Sequence, residues 1–551
     1  MKKNYAATAT RYAEDVVSGK IPACRMVQLA CQRHLDDLKS DKYVFDEKAV
    51  YRVCYFIEHL PHTKGKWAGE KLELQPWQIF LTGVPFGWVH KDTGKRRYRR
   101  AYCEVPRKNA KSTISAALGL YMLGLDNEAG AEVYCGAGSE KQAWEVFRPA
   151  KLMAQKVPKL TTVLGMEVNA KTLVIPASAS RFEPVIGKPG DGASPSMAIV
   201  DEYHEHNTED QYDTFLTGMG AREQPMLWVI TTAGADTSGP CYALRQEAIE
   251  VLEGKVKNPE LFSIIYTIDP DDEWTDESAL VKANPNIGVS VDREFLLAQQ
   301  RDAINVPRKQ SSFKTKHLNV WVGSADPFFN AEKWQRLSGD YPLESFRGQQ
   351  CWIGVDLAAK VDLTAVVYLF KDGDDFYVVP KFYCPEEVVN DPKKRSYYGW
   401  MVEGHLIATD GNVTDFNVVQ DDLIAATEMF AVQHIAFDQW NSMQMSTAVG
   451  TATGVECIDL PMTVKHLSDP MKWIQALIED GRLHNDGNPV MAWMMSNVTA
   501  KPDRNDNVFP RKERPENKID GAVALIMAME RGFQVETEKS YLETDEVMWL
   551  G

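Results

Sequence analysis

Between a strand-like run, Arg100-Ala-Tyr-Cys-Glu-Val105, and an apolar helix-like run, Ile114-Ser-Ala-Ala-Leu-Gly-Leu-Tyr-Met-Leu123, lies Pro106-Arg-Lys-Asn-Ala-Lys-Ser-Thr113. Strand, tight loop, Lys-Ser and helix is the layout of a phosphate-binding loop. Backbone N–H groups at a helix N-terminus can cradle an anion. The residues expected around ATP are therefore Val105, Pro106, Arg107, Lys108, Asn109, Ala110, Lys111, Ser112 and Thr113. Lys111 would reach the outer phosphates and the Ser112 hydroxyl would sit on Mg²⁺. The usual pattern places glycine at both ends of this loop, where this chain has Val105 and Ala110. Alanine is small enough for close backbone approach, and Arg107 and Lys108 add positive charge. The bland alternative is a basic turn before a buried helix.

Other stretches bear on that choice. Ser196-Met-Ala-Ile-Val-Asp201-Glu202 is an apolar strand that delivers two carboxylates to its C-terminal end. That is the end of an open α/β sheet at which ligands bind. Asp201 would hold Mg²⁺, partly through water, and Glu202 would polarise the attacking water. Leu227-Trp-Val-Ile-Thr231-Thr232 is a second buried strand. Its hydroxyls can sense the γ-phosphate beside the carboxylate strand. In Leu74-Gln-Pro-Trp-Gln78, the ring could stack on adenine and Gln78 could hydrogen-bond it, the alternative being a helix start with a buried ring. Arg222 is a candidate arginine finger, or a plain surface arginine. His204 and His206 read as polar loop residues near the nucleotide. Ala131–Gly138 followed by a capped helix continues a β/α rhythm, which implies a parallel sheet covered by helices.

A chain of 551 residues is too long for one ordinary core. The expected domains are an N-terminal helical region, 1–70, capping an ATPase domain, 71–322. A linker, 323–350, a nuclease domain, 351–535, and a flexible acidic tail, 536–551, would follow. Within 1–70, Tyr12, Val16, Val17, Met26, Val27, Leu29, Ala30 and Leu35 recur at helical spacing. No apolar run is long enough to span a membrane, and no secretory signal is read. Nine scattered cysteines suit reduced thiols and argue against a zinc ribbon. The net charge of 61 − 77 = −16 argues against a simple basic coat on DNA. It leaves room for a local basic face. Lys91-Asp-Thr-Gly-Lys-Arg-Arg-Tyr-Arg-Arg100 is either a solvated edge hairpin or a DNA-backbone contact.

Farther on, Gln350-Cys-Trp-Ile-Gly-Val-Asp356 is a buried strand ending in aspartate. Thr364–Phe370 and Asp375–Val379 follow around an Asp-Gly turn, the antiparallel meander that opens a ribonuclease-H-like fold. Gln433-His-Ile-Ala-Phe-Asp438 is another such strand, and Lys518-Ile-Asp520-Gly521 opens an apolar helix. Asp356, Asp438 and Asp520 can converge from two strand ends and a helix start. Together they could hold two Mg²⁺ or Mn²⁺ ions about 4 Å apart for phosphodiester cleavage. Asp362 is a weaker fourth candidate. Residues 501–518 read as a basic loop over this site, within reach of DNA.

An α/β chain of this order is expected to be a P-loop NTPase of the ASCE type, its parallel sheet covered on both faces, followed by an RNase H-like nuclease. It resembles the large terminase subunit of tailed bacteriophages, in the branch found in many long-tailed siphophages. The resemblance is carried by Leu74–Gln78, Val105–Ser112, Ile199–Glu202, Ile230–Gly234, Ala283-Asn-Pro285, Leu318-Asn-Val-Trp321, Val355–Leu357, Phe437-Asp438 and Lys518–Gly521. Ala110 departs from the family, where Asn-Gly-Lys more usually ends the loop. The resemblance implies a ring, usually a pentamer, on the portal protein of the procapsid. That ring pumps double-stranded DNA with ATP, cuts concatemers at the start and end of packaging, and works with a small terminase subunit. It implies residence in the bacterial host cytoplasm, with transient attachment to the portal vertex. Arg107 would couple hydrolysis to motion, and a neighbour's Arg222 or Lys188 would complete the site. The rival expectation is a helicase–nuclease of repair or restriction, although no second motor domain is read. A non-catalytic scaffold is a third.

Overall fold

A computed structural model describes residues 3–545, apart from 188, 191, 238, 307–308, 323–326, 358–362, 392–393, 440–441, 501, 504 and 514–516. At 395 and over 534–545 only the backbone is described. Two units result, Met1–Trp321 and Val322–Gly551. Asp362 and Lys188, both named above, lie outside the described residues.

The first unit begins with α1 (Tyr5–Val17), α2 (Arg25–Asp37) and α3 (Glu47–Glu58). Asn4 and Asp46 cap α1 and α3 by accepting the N–H of Ala7 and Lys48. On α1 the buried residues Tyr5, Ala9, Tyr12, Ala13 and Val16 form one stripe at three- and four-residue spacing. By contrast α4 (Pro76–Gly87) is buried along nearly its whole length. These helices share one apolar cluster with the neighbouring sheet: Tyr12, Val53 and Phe80 belong to the same core as Phe262 and Ile230.

That sheet alternates with helices: β1 (Arg100–Glu104), α5 (Lys111–Gly124), β2 (Glu132–Ala137), α6 (Glu140–Lys156), β3 (Glu167–Val168), β4 (Leu173–Ile175), β5 (Ser180–Ile186), β6 (Met197–Asp201), β7 (Met226–Thr231), α7 (Pro240–Leu252) and β8 (Leu261–Ile265). Their order is β8-β1-β7-β6-β2-β5-β4-β3. The strands from β8 to β5 run parallel, and β4 and β3 add an antiparallel edge. Alternate residues feed opposite cores. Cys103, Ile199 and Ile230 meet Ala117 and Leu120 of α5, whereas Tyr102, Val200 and Val229 meet Leu244 and Ala248 of α7. A sheet buried on both faces needs such continuous apolar strands.

The stretch after β8 adds two further helices. α8 (Glu277–Ala283) and α9 (Arg293–Asn305) enclose a small core of Trp274, Leu280, Leu296, Phe313 and Leu318.

In the second unit α10 (Ala331–Arg336) precedes β9 (Gln350–Asp356), β10 (Thr364–Asp372), β11 (Asp375–Pro385), β12 (Ile407–Thr409), α11 (Phe416–Met429), β13 (Ala431–Asp438), β14 (Glu456–Leu460), α12 (Val464–Asp480), β15 (Leu483–Asn485), α13 (Pro489–Asn497) and α14 (Asp520–Asp545). Sheet order is β12-β11-β10-β9-β13-β14, with β15 alongside β11. β9, β10 and β11 form the antiparallel meander, and β13 joins β9 in parallel.

The expected linker over 323–350 differs from what is found. Phe329 and Trp334 are buried in the second core, and Phe328 N–H donates to Val498 O at 2.7 Å. Those large apolar side chains pull their segment onto the nuclease unit. At the other end α14 keeps a helical backbone through Asp545, into the expected flexible tail.

Candidate active sites

The first site forms where β1, β7 and β6 end side by side. Glu104 pairs with Thr231, and Asp201 with Ile230, so the phosphate-loop entry, the hydroxyl pair and the carboxylate pair share one edge. Val105 N–H donates to Thr231 O at 3.0 Å and Glu202 N–H to Ile230 O at 3.0 Å, which pins both exits to β7.

Lys111 opens α5, is buried, and donates from Nζ to Val105 O at 2.8 Å. Burial pulls its pKa down, while Glu202 and Asp201 pull it up, so all three lie within electrostatic reach. Asp201 is 2% exposed and accepts the Glu202 N–H at 3.0 Å. Burial first and Glu202 second push its pKa up, against the pull of Lys111. Lys111 lowered and Asp201 raised express the same thing: neither buried charge is fully compensated by the other. A phosphate and a divalent cation are the charges that would complete them.

With its folded pKa above the unfolded carboxylate value of about 3.9, Asp201 stabilises the fold at low pH. That contribution is lost as pH rises through the folded pKa. Asp201→Asn is therefore expected to raise the thermal midpoint of the ligand-free first unit by about 2–4 °C at neutral pH. The gain should vanish near pH 4, as calorimetry at the two pH values would report.

Glu202 sits at φ 47°, a left-handed backbone just past the end of β6. Its Oε2 is buried, has no hydrogen-bond partner among the described residues, and lies 3.4 Å from His204 Nδ1. His204 Nδ1 also lies 3.0 Å from Thr231 Oγ1, and Nε2 lies 3.2 Å from Glu205. The imidazole thus bridges the carboxylate and the hydroxyl strand. Thr232 Oγ1 donates to Ala233 O at 3.0 Å.

Within the loop, Lys108 (φ 70°) and Ala110 (φ 61°) are both left-handed. That conformation costs a non-glycine residue about 1–2 kcal/mol, so this chain adopts at alanine the backbone that glycine takes freely. Ser112 and Thr113 are part-exposed at the start of α5, and Arg107 and Lys108 are exposed.

Several expectations for this unit are corrected. Trp77 is buried, edge-on to Tyr266 at 5.6 Å, and donates Nε1 to Asn286 Oδ1 at 3.0 Å, so it does not offer a face to adenine. Gln78, 5% exposed, spends its Oε1 on the Gln75 N–H at 2.9 Å, capping its own helix. Arg222 is not presented as a finger. It donates to Ser194 O at 2.7 Å and Gly130 O at 2.9 Å and lies 3.5 Å from Glu128, ahead of β6 and β2 and so at the opposite edge of the sheet. Much of the basic run before β1 is also consumed internally. Arg96 pairs with buried Asp126 at 2.8 Å, Arg97 with Asp37 at 2.6 Å, and Arg100 with Glu247.

Glu104, which sequence reasoning left without a role, is wholly buried. It accepts from Tyr102 OH and, at 3.2 Å each, from Asn319 Nδ2 and Trp321 Nε1, with Arg245 Nε at 3.3 Å. Its partners come from separate segments, and no local pattern announces them.

The second site lies where β9 and β13 end. Val355 pairs with Phe437 in parallel register, which makes Asp356 and Asp438 the next neighbours, about 5 Å apart between strands. α14 crosses the same face in the opposite direction. A Cβ at Gly532 would lie 3.6 Å from the Trp352 ring, and one at Gly354 would lie 1.9 Å from Ala524 O. Asp356, two residues beyond Gly354, and Asp520, one turn before Ala524, are therefore brought to the same end of that face. Asp356, Asp438 and Asp520 are each part-exposed. Among the described residues no three His, Cys, Asp or Glu side chains are gathered as a metal-holding set. The topology brings the trio to one sheet edge without drawing the carboxylates into a finished ligand shell. Carboxylate oxygens in this number are the donors that hard divalent cations take.

A parallel sheet with a Lys-Ser loop and an Asp-Glu strand end, followed by an aspartate-bearing RNase H-like sheet, defines an ATPase joined to a nuclease. Family models for the terminase large subunit match this chain: its ATPase domain over residues 76–250 and its endonuclease domain over residues 255–536. The chain is 45% identical to Protein YmfN of Escherichia coli (strain K12) over 364 residues, 63% of this chain and 80% of that one. To the large terminase subunit of Enterobacteria phage HK97 it is 27% identical over 492 residues, 87% of this chain and 94% of that one. The crystal structure of the HK97 large terminase aligns with a TM-score of 0.45 at 25% identity, covering 88% of this chain and 99% of that chain. The chain belongs to the phage terminase large subunit family, and it is a DNA-packaging motor with ATPase and endonuclease activity. The helicase–nuclease and scaffold alternatives are thereby set aside.

The endonuclease match begins at residue 255, yet β8 pairs with β1 inside the ATPase sheet. Strand pairing is the more direct measure of where a domain ends, so residues 261–321 are assigned to the ATPase unit. No helix among the described residues is long and apolar enough to cross a membrane.

Proposed function

We propose that the first unit binds Mg·ATP at the β1–α5 loop, with Lys111 on the outer phosphates and with Ser112 and Asp201 as the Mg²⁺ ligands. Glu202 accepts a proton from the attacking water and orients it in line with the γ-phosphorus. Thr231 and Thr232, linked to Glu202 through His204, report whether the γ-phosphate is present. Arg107, exposed at the loop, takes up transition-state charge and carries the result to the moving surface. Pro106, Lys108 and Asn109 shape the cradle together with Val105, Ala110 and Thr113.

In the second unit Asp356, Asp438 and Asp520 would hold two Mg²⁺ or Mn²⁺ ions. Such a pair, when bound, would supply a water of lowered pKa and charge neutralisation at the leaving 3′-oxygen. The carboxylates orient the scissile phosphodiester against the sheet edge. The substrate is double-stranded DNA, translocated into a procapsid through its portal protein and cut from a concatemer at the start and end of packaging. A small terminase subunit selects the DNA, a homo-oligomeric ring, pentameric in this reading, forms on the portal, and the work is done in the bacterial cytoplasm.

The nuclease reading rests on one observation: two adjacent strand ends and a helix start bring three aspartates to one sheet face. Asp356→Asn is expected to reduce Mn²⁺-dependent nicking of plasmid DNA by at least about 10²-fold, while DNA-stimulated phosphate release stays at the wild-type rate. Nicking by the variant at the wild-type rate would remove Asp356 from the site.

A further inference from the structure

The loop between β1 and α5 holds Lys108 and Ala110 in left-handed backbone without glycine at either place. Something outside the loop has to favour that shape, and a buried amide network does so. Asn109, wholly buried, donates from Nδ2 to Pro106 O at 3.2 Å, Arg107 O at 3.3 Å and Asn284 Oδ1 at 3.1 Å. Its Oδ1 accepts the Asn286 N–H at 3.0 Å. Asn284, also wholly buried, is anchored in turn by Nδ2 to Leu280 O at 3.0 Å and His317 O at 2.7 Å.

A second arm reaches Lys108 itself. Trp77 Nε1 donates to Asn286 Oδ1 at 3.0 Å, Asn286 Nδ2 to Ser290 Oγ at 2.6 Å, and Ser290 Oγ to Lys108 O at 2.6 Å. Arg107 N–H donates to Lys316 O at 3.1 Å. Carbonyls at Pro106, Arg107 and Lys108 are thus each held from a side chain, and the peptide planes on both sides of Lys108 have little freedom to rotate.

We propose that the Asn284-Pro285-Asn286 turn, with Ser290, is a positioning element of the ATP site that holds the glycine-poor phosphate loop in its binding shape. This rests on the assignment of that loop to ATP. It gives a catalytic-unit role to a segment that lies inside the stretch matched by the endonuclease family model. Hydrogen bonds from buried amides supply here the conformational bias that glycine would otherwise make unnecessary. The arrangement also gives Trp77 a use other than adenine stacking: as the first donor of the second arm, it holds the Asn286 amide in place.

The test uses the full chain and a fluorescent ATP analogue with Mg²⁺. Asn284→Ala removes an acceptor from a buried amide and is expected to weaken nucleotide binding about tenfold. Ser290→Ala trims one part-exposed hydroxyl, which carries little folding risk, and should weaken binding about threefold. Both losses should shrink when Ala110→Gly is added, because glycine relieves the strain the network opposes, and Mn²⁺-dependent nicking should not change. Wild-type nucleotide affinity in both single variants, or losses of the same size with and without Ala110→Gly, would overturn the proposal. Lys111→Ala separates the two levels: if it still hydrolyses ATP, the loop assignment itself fails. If it does not, while Asn284→Ala and Ser290→Ala bind normally, only the role of the network fails.

Discussion

Glu202→Gln is expected to lower ATP turnover by about 10²–10⁴-fold, while leaving metal-dependent nicking of DNA intact. Glutamine keeps the size of the side chain and its reach towards His204 Nδ1, which lies 3.4 Å from Glu202 Oε2. It cannot accept the proton that water must lose. Because the buried Asp201 and Lys111 remain, Mg·ATP should still bind, and the defect should fall on kcat with little change in KM. Phosphate release with DNA present, followed across ATP concentrations, checks this. A variant that turned over at the wild-type rate would move the general base away from Glu202, with Glu205 beside the same imidazole as the next residue to test.

Gly354→Ala should have the largest effect on stability. An added Cβ would stand 1.9 Å from Ala524 O, 2.8 Å from Ala524 C and 3.0 Å from Ala528 N. All three are backbone atoms of α14, so no side-chain rotation relieves the overlap. Either β9 or α14 must shift, and both carry aspartates of the proposed site. Overpacking a well-packed core costs about 1–3 kcal/mol, occasionally more, and a backbone clash this close belongs at the upper end. The expected result in the full chain is loss or a marked lowering of the nuclease unit's thermal transition. Nicking should be lost and ATP hydrolysis retained by the first unit. Unchanged melting and nicking would mean that α14 does not cross β9 at Gly354, and the convergence of Asp356 with Asp520 would lose its support.

The placement of the two candidate sites was legible in the sequence to different depths. Lys111-Ser112, Asp201-Glu202 and Asp356, Asp438 and Asp520 stand at strand ends or helix starts, positions that apolar runs announce locally. Trp77 and Gln78 were legible as a helix start, but whether the ring faced a ligand or the core depended on Tyr266 and Asn286, far along the chain. Arg222 and the basic run before β1 looked available because charge is visible in a sequence and its partners are not. Glu128, Asp126, Asp37 and Glu247 consume those arginines. Residues 261–321 carry little local signal of their role, because buried amides that reach far along the chain do much of the holding there.

By itself, then, the sequence determined the alternation of strand and helix, the order of an ATPase before a nuclease, and which acidic and basic residues stand at the ends of apolar strands. Those follow from hydrophobic period and from residue chemistry read over a few neighbours. Only the tertiary structure decided which charges were already spent within the chain, where one unit ends and the next begins, and how a loop without glycine reaches the shape of one that has it. These depend on contacts between residues well separated in sequence, from 30 positions for Arg96 with Asp126 to 175 for Asn109 with Asn284 and 215 for Glu104 with Asn319. Hydrophobic period carries no information about such pairs.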